Sequence, residues 1–227
     1  MGSLETLLKT YSASKVIDAT INYNEYVAVN LSVSNEMLSK INRGQTQHFE
    51  NYIKNYVVLH NAKVAYGGYN EERNLYKRSG IFNPTEAEER NIHIGVDLWV
   101  KSGTPVLAAL DGCVHSFNNN TGLGNYGPTI VLKHTVSTHE FYTLYGHLSL
   151  ESISGLKIGT AFRKGEILGT LGDATVNGDY APHLHFQIIK DLQHYFGDYP
   201  GVCSKNTLDF YLENCPDPNW LLKIQAI

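Results

Sequence analysis

The hydrophobic positions change their period near residue 65. Before it, Phe49, Tyr52, Ile53, Tyr56, Val57 and His60 recur every three or four residues, which lines one face of a helix and predicts an amphipathic helix over residues 46–60 with Thr46 as its N-cap. Leu4, Leu7, Leu8 and Tyr11 predict a shorter helix upstream, and residues 26–33 (YVAVNLSV) read as a strand of mixed burial. From Gly67 onward the helical period gives way to short β-rich runs at 106–109, 114–117, 129–134, 141–148, 167–171 and 183–189. Between them lie Asp111-Gly112, the run 118–122 (NNNTG), Tyr126-Gly127-Pro128 and Asn177-Gly178-Asp179, residues that tolerate or require left-handed turns. The fold class is therefore mainly β with an α+β N-terminal extension, the β part being an antiparallel sheet of barrel or sandwich type. Three regions are expected: an α+β module or cap over 1–65, the β-domain over 66–190, and a turn-rich tail over 191–227. The tail should contain a short helix near 207–213 and pack back on the β-domain.

At 227 residues, 42% of them hydrophobic and 18% charged, the chain has material for a proper core. A formal net charge of −4 without a long run of one sign argues against nucleic acid as a partner. No segment approaches ~18 uninterrupted apolar residues, so no membrane span is expected. The N-terminus lacks the basic, apolar and small-residue pattern of an export signal, which favours a cytoplasmic location, or an extracellular or periplasmic one if the sequence is a piece of a longer chain. Cys113, Cys203 and Cys215 are too few, and wrongly spaced, for a disulfide framework or a thiolate zinc site. A Cys203–Cys215 bridge stays open, and Cys113 reads as a small buried strand residue. Nothing in the sequence speaks to oligomeric state.

The candidate chemistry lies in two strings, His93-Ile94-Gly95-Val96-Asp97 and His183-Leu184-His185. Strand alternation puts His183, His185 and Gln187 on one face and Leu184, Phe186 and Ile188 on the other. Two imidazoles on one surface either find buried partners as core residues or bind a ligand. The ends of a straight five-residue strand would be about 13 Å apart, too far for His93 and Asp97 to share one ion, so the segment must bend. Gly95 permits the bend, whereas glycine with β-branched Ile94 and Val96 disfavours a helix. The alternative is an ordinary polar strand end. On the same alternation Tyr145 and His147 project to one face of their strand. Three histidines and a carboxylate at these spacings suit a catalytic zinc site, in which two histidines and an aspartate leave the fourth position to water.

These strings, together with residues 102–112 (SGTPVLAALDG), 144–148 (LYGHL), 165–169 (GEILG) and 182–186 (PHLHF), resemble the lysostaphin-type zinc metallopeptidases, the family of peptidoglycan-cleaving endopeptidases. The likeness runs from about Val64 to Ile189. It implies one zinc per chain held by His93, Asp97 and His185, with His147 and His183 as catalytic histidines, and hydrolysis of peptide or peptidoglycan-like substrates, including glycine-containing ones. The glycine-aromatic-arginine segment around residues 65–73 is similar to that before the family's first ligand. It makes Arg73 a candidate for holding substrate, against a surface salt bridge, and Asn70 a candidate for the open metal position; Tyr142 and Tyr145 are candidates for the groove wall. No H-E-x-x-H helix is present, since residues 139–143 read HEFYT. Segments 67–79, 198–201 and 216–219 resemble a subgroup joined to kinase-like and aminotransferase domains. Residues 155–169 also resemble the hairpin of lipoyl and biotinyl domains, which leaves a non-catalytic metal-binding or carrier-like barrel-sandwich module as the alternative; no lysine sits at a tight hairpin tip to serve as the carrier residue.

Overall fold

In the computed structural model, which describes residues 3–12, 14–39, 46–74 and 89–224, helix α1 (Leu4–Thr10) leads to strand β1 (Tyr26–Ala28), helices α2 (Glu36–Ser39) and α3 (Thr46–Leu59), and strands β2 (Val64–Gly67) and β3 (Glu71–Glu72). Then come β4 (Ile92–His93), β5 (Val96–Trp99), β6 (Pro105–Leu107), β7 (Gly112–Asn120), β8 (Gly127–Val136), β9 (His139–Gly146), β10 (Ala161–Phe162), β11 (Ile167–Thr170) and β12 (His183–Ile189). The chain closes with β13 (Val202–Cys203) and helices α4 (Leu208–Asn214) and α5 (Asn219–Leu222).

Eight strands form one sheet in the order β1-β2-β5-β12-β9-β8-β7-β10, antiparallel except for the β1–β2 pair. The sheet is open, with β1 and β10 at its edges. A three-stranded sheet β13-β4-β3 and the pair β11-β6 complete the β structure. The antiparallel β architecture expected from the turn spacing is thus present without closure into a barrel. The strand expected over 26–33 stops at Ala28 because Asn30 Oδ1 accepts the amide of Ser32 at 2.8 Å, a local turn that competes with ladder pairing. Thr46 lies inside α3 rather than capping it, and its hydroxyl donates to the carbonyl of Asp179 at 2.8 Å. Residues 75–79 of the segment 67–79 lie outside the described residues.

The two faces of β12 decide where the site can be. Leu184, Phe186 and Ile188 point into the main core with Val96, Leu98, Ile130, Leu132 and Tyr145. Leu4, Leu8 and Ile17 from the N-terminal region and Leu221 and Leu222 from α5 cover that face. Each such side chain, fully buried, contributes about 1.5–3 kcal/mol. On the opposite face, Ile94, Val131, Leu144 and Ile189 pack with Leu192, Tyr199, Cys203 and Cys215 of the C-terminal segment. The histidines of β12 share this second face. Cys203 and Cys215 are buried free thiols, so the bridge left open does not form, and Cys113 is half-buried rather than buried. Helix α3 packs a third cluster, Phe49, Tyr52, Ile53, Tyr56 and Val57, over Ala65 and Trp99. Among the described residues no helix is long and apolar enough to cross a membrane.

Candidate metal centre and active site

The His93–Asp97 segment bends as strand geometry requires. His93 ends β4 in the small sheet, Ile94 and Gly95 turn the chain, and Asp97 follows in β5 of the large sheet. The backbone of Gly95 passes so close to β12 that a Cβ there would sit 2.6 Å from Cε1 and 2.7 Å from Nε2 of His185. Asp97 pairs with His185 across β5 and β12, which brings the three side chains together. His93 Nε2 lies 2.9 Å from His185 Nδ1, and both face Asp97 Oδ1, at 3.2 and 3.1 Å. All three residues are buried.

The remaining ring nitrogens fix which atoms carry protons. His93 Nδ1 is 2.8 Å from the carbonyl of Gly68, and an oxygen that only accepts requires the N–H on that side, leaving a lone pair on Nε2. His185 Nε2 is 2.9 Å from Gln187 Oε1, which leaves its lone pair on Nδ1. Two imidazole lone pairs and a carboxylate oxygen therefore converge with no proton between the rings. An extra proton is disfavoured, because burial and the adjacent Arg73 charge push His93 down to about 4. Burial works to raise Asp97, but the Arg73 guanidinium bonded to Oδ2 outweighs it and holds the carboxyl well below its usual range. The donor set, two nitrogens and one anionic oxygen, fits a divalent cation of the zinc type.

The carboxylate is held from behind. Arg73 is buried, donates from Nη1 to Asp97 Oδ2 at 2.5 Å and from Nε to Glu71 Oε2 at 2.6 Å, and stacks its guanidinium 5.7 Å from the Trp99 ring. Its Nε and Nη1 thus face protein carboxylates, a buried pairing rather than the surface pair weighed as the alternative, and the residue also lines the cavity. It leaves Oδ1 as the oxygen facing the histidines.

His147 and His183 stand beside the cluster, with ring centroids 4.2 Å apart. His183 Nε2 is 3.9 Å from Asp97 Oδ1, and the ring stacks on Trp99 at 5.6 Å. The Nδ1 atoms of His183 and His147 face the carbonyls of Ala181 at 2.7 Å and Asn177 at 2.9 Å, so in both rings the proton sits on Nδ1 and Nε2 carries the lone pair. Burial, and for His147 the neighbouring His183, lowers both from the ordinary histidine value and keeps them neutral near pH 7.

Tyr145 is the clear miss. It is fully buried in the main core, where its hydroxyl accepts the amide of Ala109 at 2.9 Å and meets Thr143 Oγ1 at 3.1 Å. The expectation assumed that alternation continues from Tyr145 to His147. Instead β9 ends at Gly146, and His147 adopts φ 63°, a left-handed residue that turns its ring to the face opposite Tyr145. Asn70 is an exposed turn residue at φ 52° and does not line the cavity; Tyr142, half-buried, does not line it either. The groove walls come from Phe49, Trp99, Tyr126, Tyr180, Tyr195 and Tyr199 around a cavity of about 230 Å³. Of these, Tyr126, which packs edge-on to His147 with centroids 5.4 Å apart, opens the turn signal Tyr126-Gly127-Pro128 and carried no period to mark it.

Residues 91–196 match the model of peptidase family M23. The peptidoglycan DD-endopeptidase ShyC of Vibrio cholerae is 32% identical over 116 residues, 49% of this chain and 24% of that protein. Lysostaphin of Staphylococcus staphylolyticus is 37% identical over 116 residues, 50% of this chain and 22% of its own length. The glycyl-glycine endopeptidase ALE-1 of Staphylococcus capitis is 38% identical over 96 residues, 42% of this chain and 24% of that protein. The chain thus spans about a quarter of the length of these relatives. His93, Asp97, His147, His183 and His185 all fall within residues 91–196, the segment that matches the model of peptidase family M23.

Proposed function

We propose that this chain is a zinc-dependent metalloendopeptidase, with His93, Asp97 and His185 as ligands and His147 and His183 as catalytic residues. The observation that carries the reading is the convergence of two imidazole lone pairs and Asp97 Oδ1 within 3.2 Å, each ring held in the required tautomer. Zinc bound there supplies Lewis acidity, polarising a scissile carbonyl and lowering the pKa of water. The chain's own residues supply the rest. Asp97 offsets the cation's charge, with Arg73 fixing the oxygen it presents. His183 and His147, neutral and open at Nε2, take a proton from the attacking water and return it to the leaving amine. The nearby Asp97 charge favours the protonated form of both rings.

The aromatic walls suit an extended peptide with small side chains, and the names of the relatives support peptidoglycan-type or glycine-containing peptides as the substrate class. The test is metal analysis of the purified chain, followed by hydrolysis of pentaglycine and cross-linked muropeptides beside ordinary peptides, with and without chelator. About one zinc per chain is expected, lost in His93→Ala, Asp97→Ala and His185→Ala, with cleavage that stops on chelation. Unchanged metal content in all three variants overturns the ligand set. Metal binding without cleavage of any peptide class leaves the non-catalytic module as the better reading.

A further inference from the structure

The lone pair that His185 turns toward the ligand cluster is set by residues beyond the family-matched segment. Gln187, two positions along β12 on the same face, is fully buried. Its Nε2 lies 3.2 Å from the carbonyl of Pro200 and 3.2 Å from Cys215 Sγ. The Pro200 carbonyl has no proton to give, so the amide end of Gln187 must face it. The flat carboxamide then has its oxygen on the other side, 2.9 Å from His185 Nε2. That oxygen only accepts, so the proton of His185 sits on Nε2 and Nδ1 is left for a cation. Were the carboxamide reversed, an N–H would face His185 Nε2, the proton would move to Nδ1, and Nδ1 could no longer be a ligand.

The same stretch reaches the centre by a second route. Val202 pairs with His93 in the small sheet, and the amide of Ile94 donates to the carbonyl of Gly201 at 3.0 Å. The segment 199–215 therefore touches both metal-facing histidines, one through strand pairing and one through Gln187. The matched domain ends at residue 196, short of both.

We propose that the segment 199–215 is an integral part of the metal centre, and that Gln187 is the positioning residue through which it holds the proton of His185 on Nε2. The inference rests on the metallopeptidase reading and deepens it. Orienting partners of this kind change metal affinity by roughly 10–100-fold when removed.

The experiment uses the full chain. Zinc affinity is measured by competition with a chromophoric chelator for wild type, Gln187→Leu, Gln187→Glu and His185→Ala, and ring ¹⁵N spectra are recorded on metal-free protein. Gln187→Leu, near in volume and without an acceptor, is expected to weaken zinc binding roughly 10–100-fold. Gln187→Glu, which keeps an oxygen facing His185, should recover most of that loss. Metal-free wild type should show His185 as a single tautomer protonated at Nε2. A folded Gln187→Leu binding zinc as tightly as wild type overturns the proposal. So does a wild-type His185 protonated at Nδ1, a readout that needs no variant to fold. If His185→Ala itself keeps full affinity, the ligand set has failed; if it loses zinc while Gln187→Leu does not, only the role of Gln187 has.

Discussion

Gly95→Ala tests whether the bend between His93 and Asp97 is fixed by space rather than by backbone freedom. No left-handed φ is present at Gly95, so alanine meets no conformational penalty there. The added methyl would lie 2.6 Å from His185 Cε1 and 2.9 Å from the carbonyl of Phe186. Recovering an ordinary contact of 3.4 Å requires the ring to retreat by about 0.8 Å, and the Phe186 carbonyl belongs to a paired central strand that cannot follow. Overpacking of this kind costs about 1–3 kcal/mol. A metal site tolerates displacements of only about 0.5 Å, so zinc affinity should fall on the order of 10-fold or more. Urea denaturation of the metal-free protein reads the first number and chelator competition the second. Gly103→Ala is the control: it has φ 77° and nothing within 4 Å of its would-be Cβ, so it should lose about 1–2 kcal/mol from backbone strain and leave zinc binding alone. If Gly95→Ala matches wild type in both measurements, the close approach of β5 to β12 is not what shapes the site.

Arg73→Gln should destabilise the metal-free protein by about 3–5 kcal/mol, since it leaves buried Asp97, and half-buried Glu71 beside it, without their cation. Zinc should restore part of the loss in a thermal melt, and an unshifted melting temperature in the metal-free variant would contradict the pairing. His147→Ala and His183→Ala should keep zinc and lose turnover by roughly 10²-fold or more; full activity in either removes that residue from the mechanism. Burial, joined at His93 by the Arg73 charge, pushes His93 and His134 down to about 4. Both therefore take up a proton on unfolding between their folded values and the unfolded value of about 6.5. The metal-free protein should be most stable above that pH and weaken as the pH falls toward 4, and a flat urea midpoint across this range would refute the assignment.

Much of the site was legible where a local rule suffices. The period of two in β12 separates His183, His185 and Gln187 from Leu184, Phe186 and Ile188, as found. The length of an extended pentapeptide demands the bend at Gly95. The same rule misled one strand away, because parity carries through a strand only while the strand lasts, and His147 comes after its end in a left-handed turn. Arg73 was visible as a charge near the first ligand, but that its partners are Asp97 and Glu71 is a tertiary fact. The carbonyls of Gly68, Asn177 and Ala181 that set three tautomers have no residue type at all, so no sequence pattern could mark them. The open sheet was equally hidden: turn spacing sets strand length, whereas closure depends on which strands end at an edge.

His93 and Asp97 belong to two different sheets, joined through the turn at Ile94-Gly95, and an ion held between them and His185 would be a rivet through the seam. Without it, β3, β4 and β13 stay joined to the large sheet by the turn after β2, the bend at Ile94-Gly95, the Arg73–Asp97 pair and the packing of Ile92, Ile94 and Cys203 on Val131, Leu144 and Ile189. A chelator should then loosen one flank of the molecule, and free cation at 100 times its dissociation constant would add about 2.7 kcal/mol to folding. Protease nicking near residues 199–203 in stripped but not loaded protein would be the visible sign of that loosened flank.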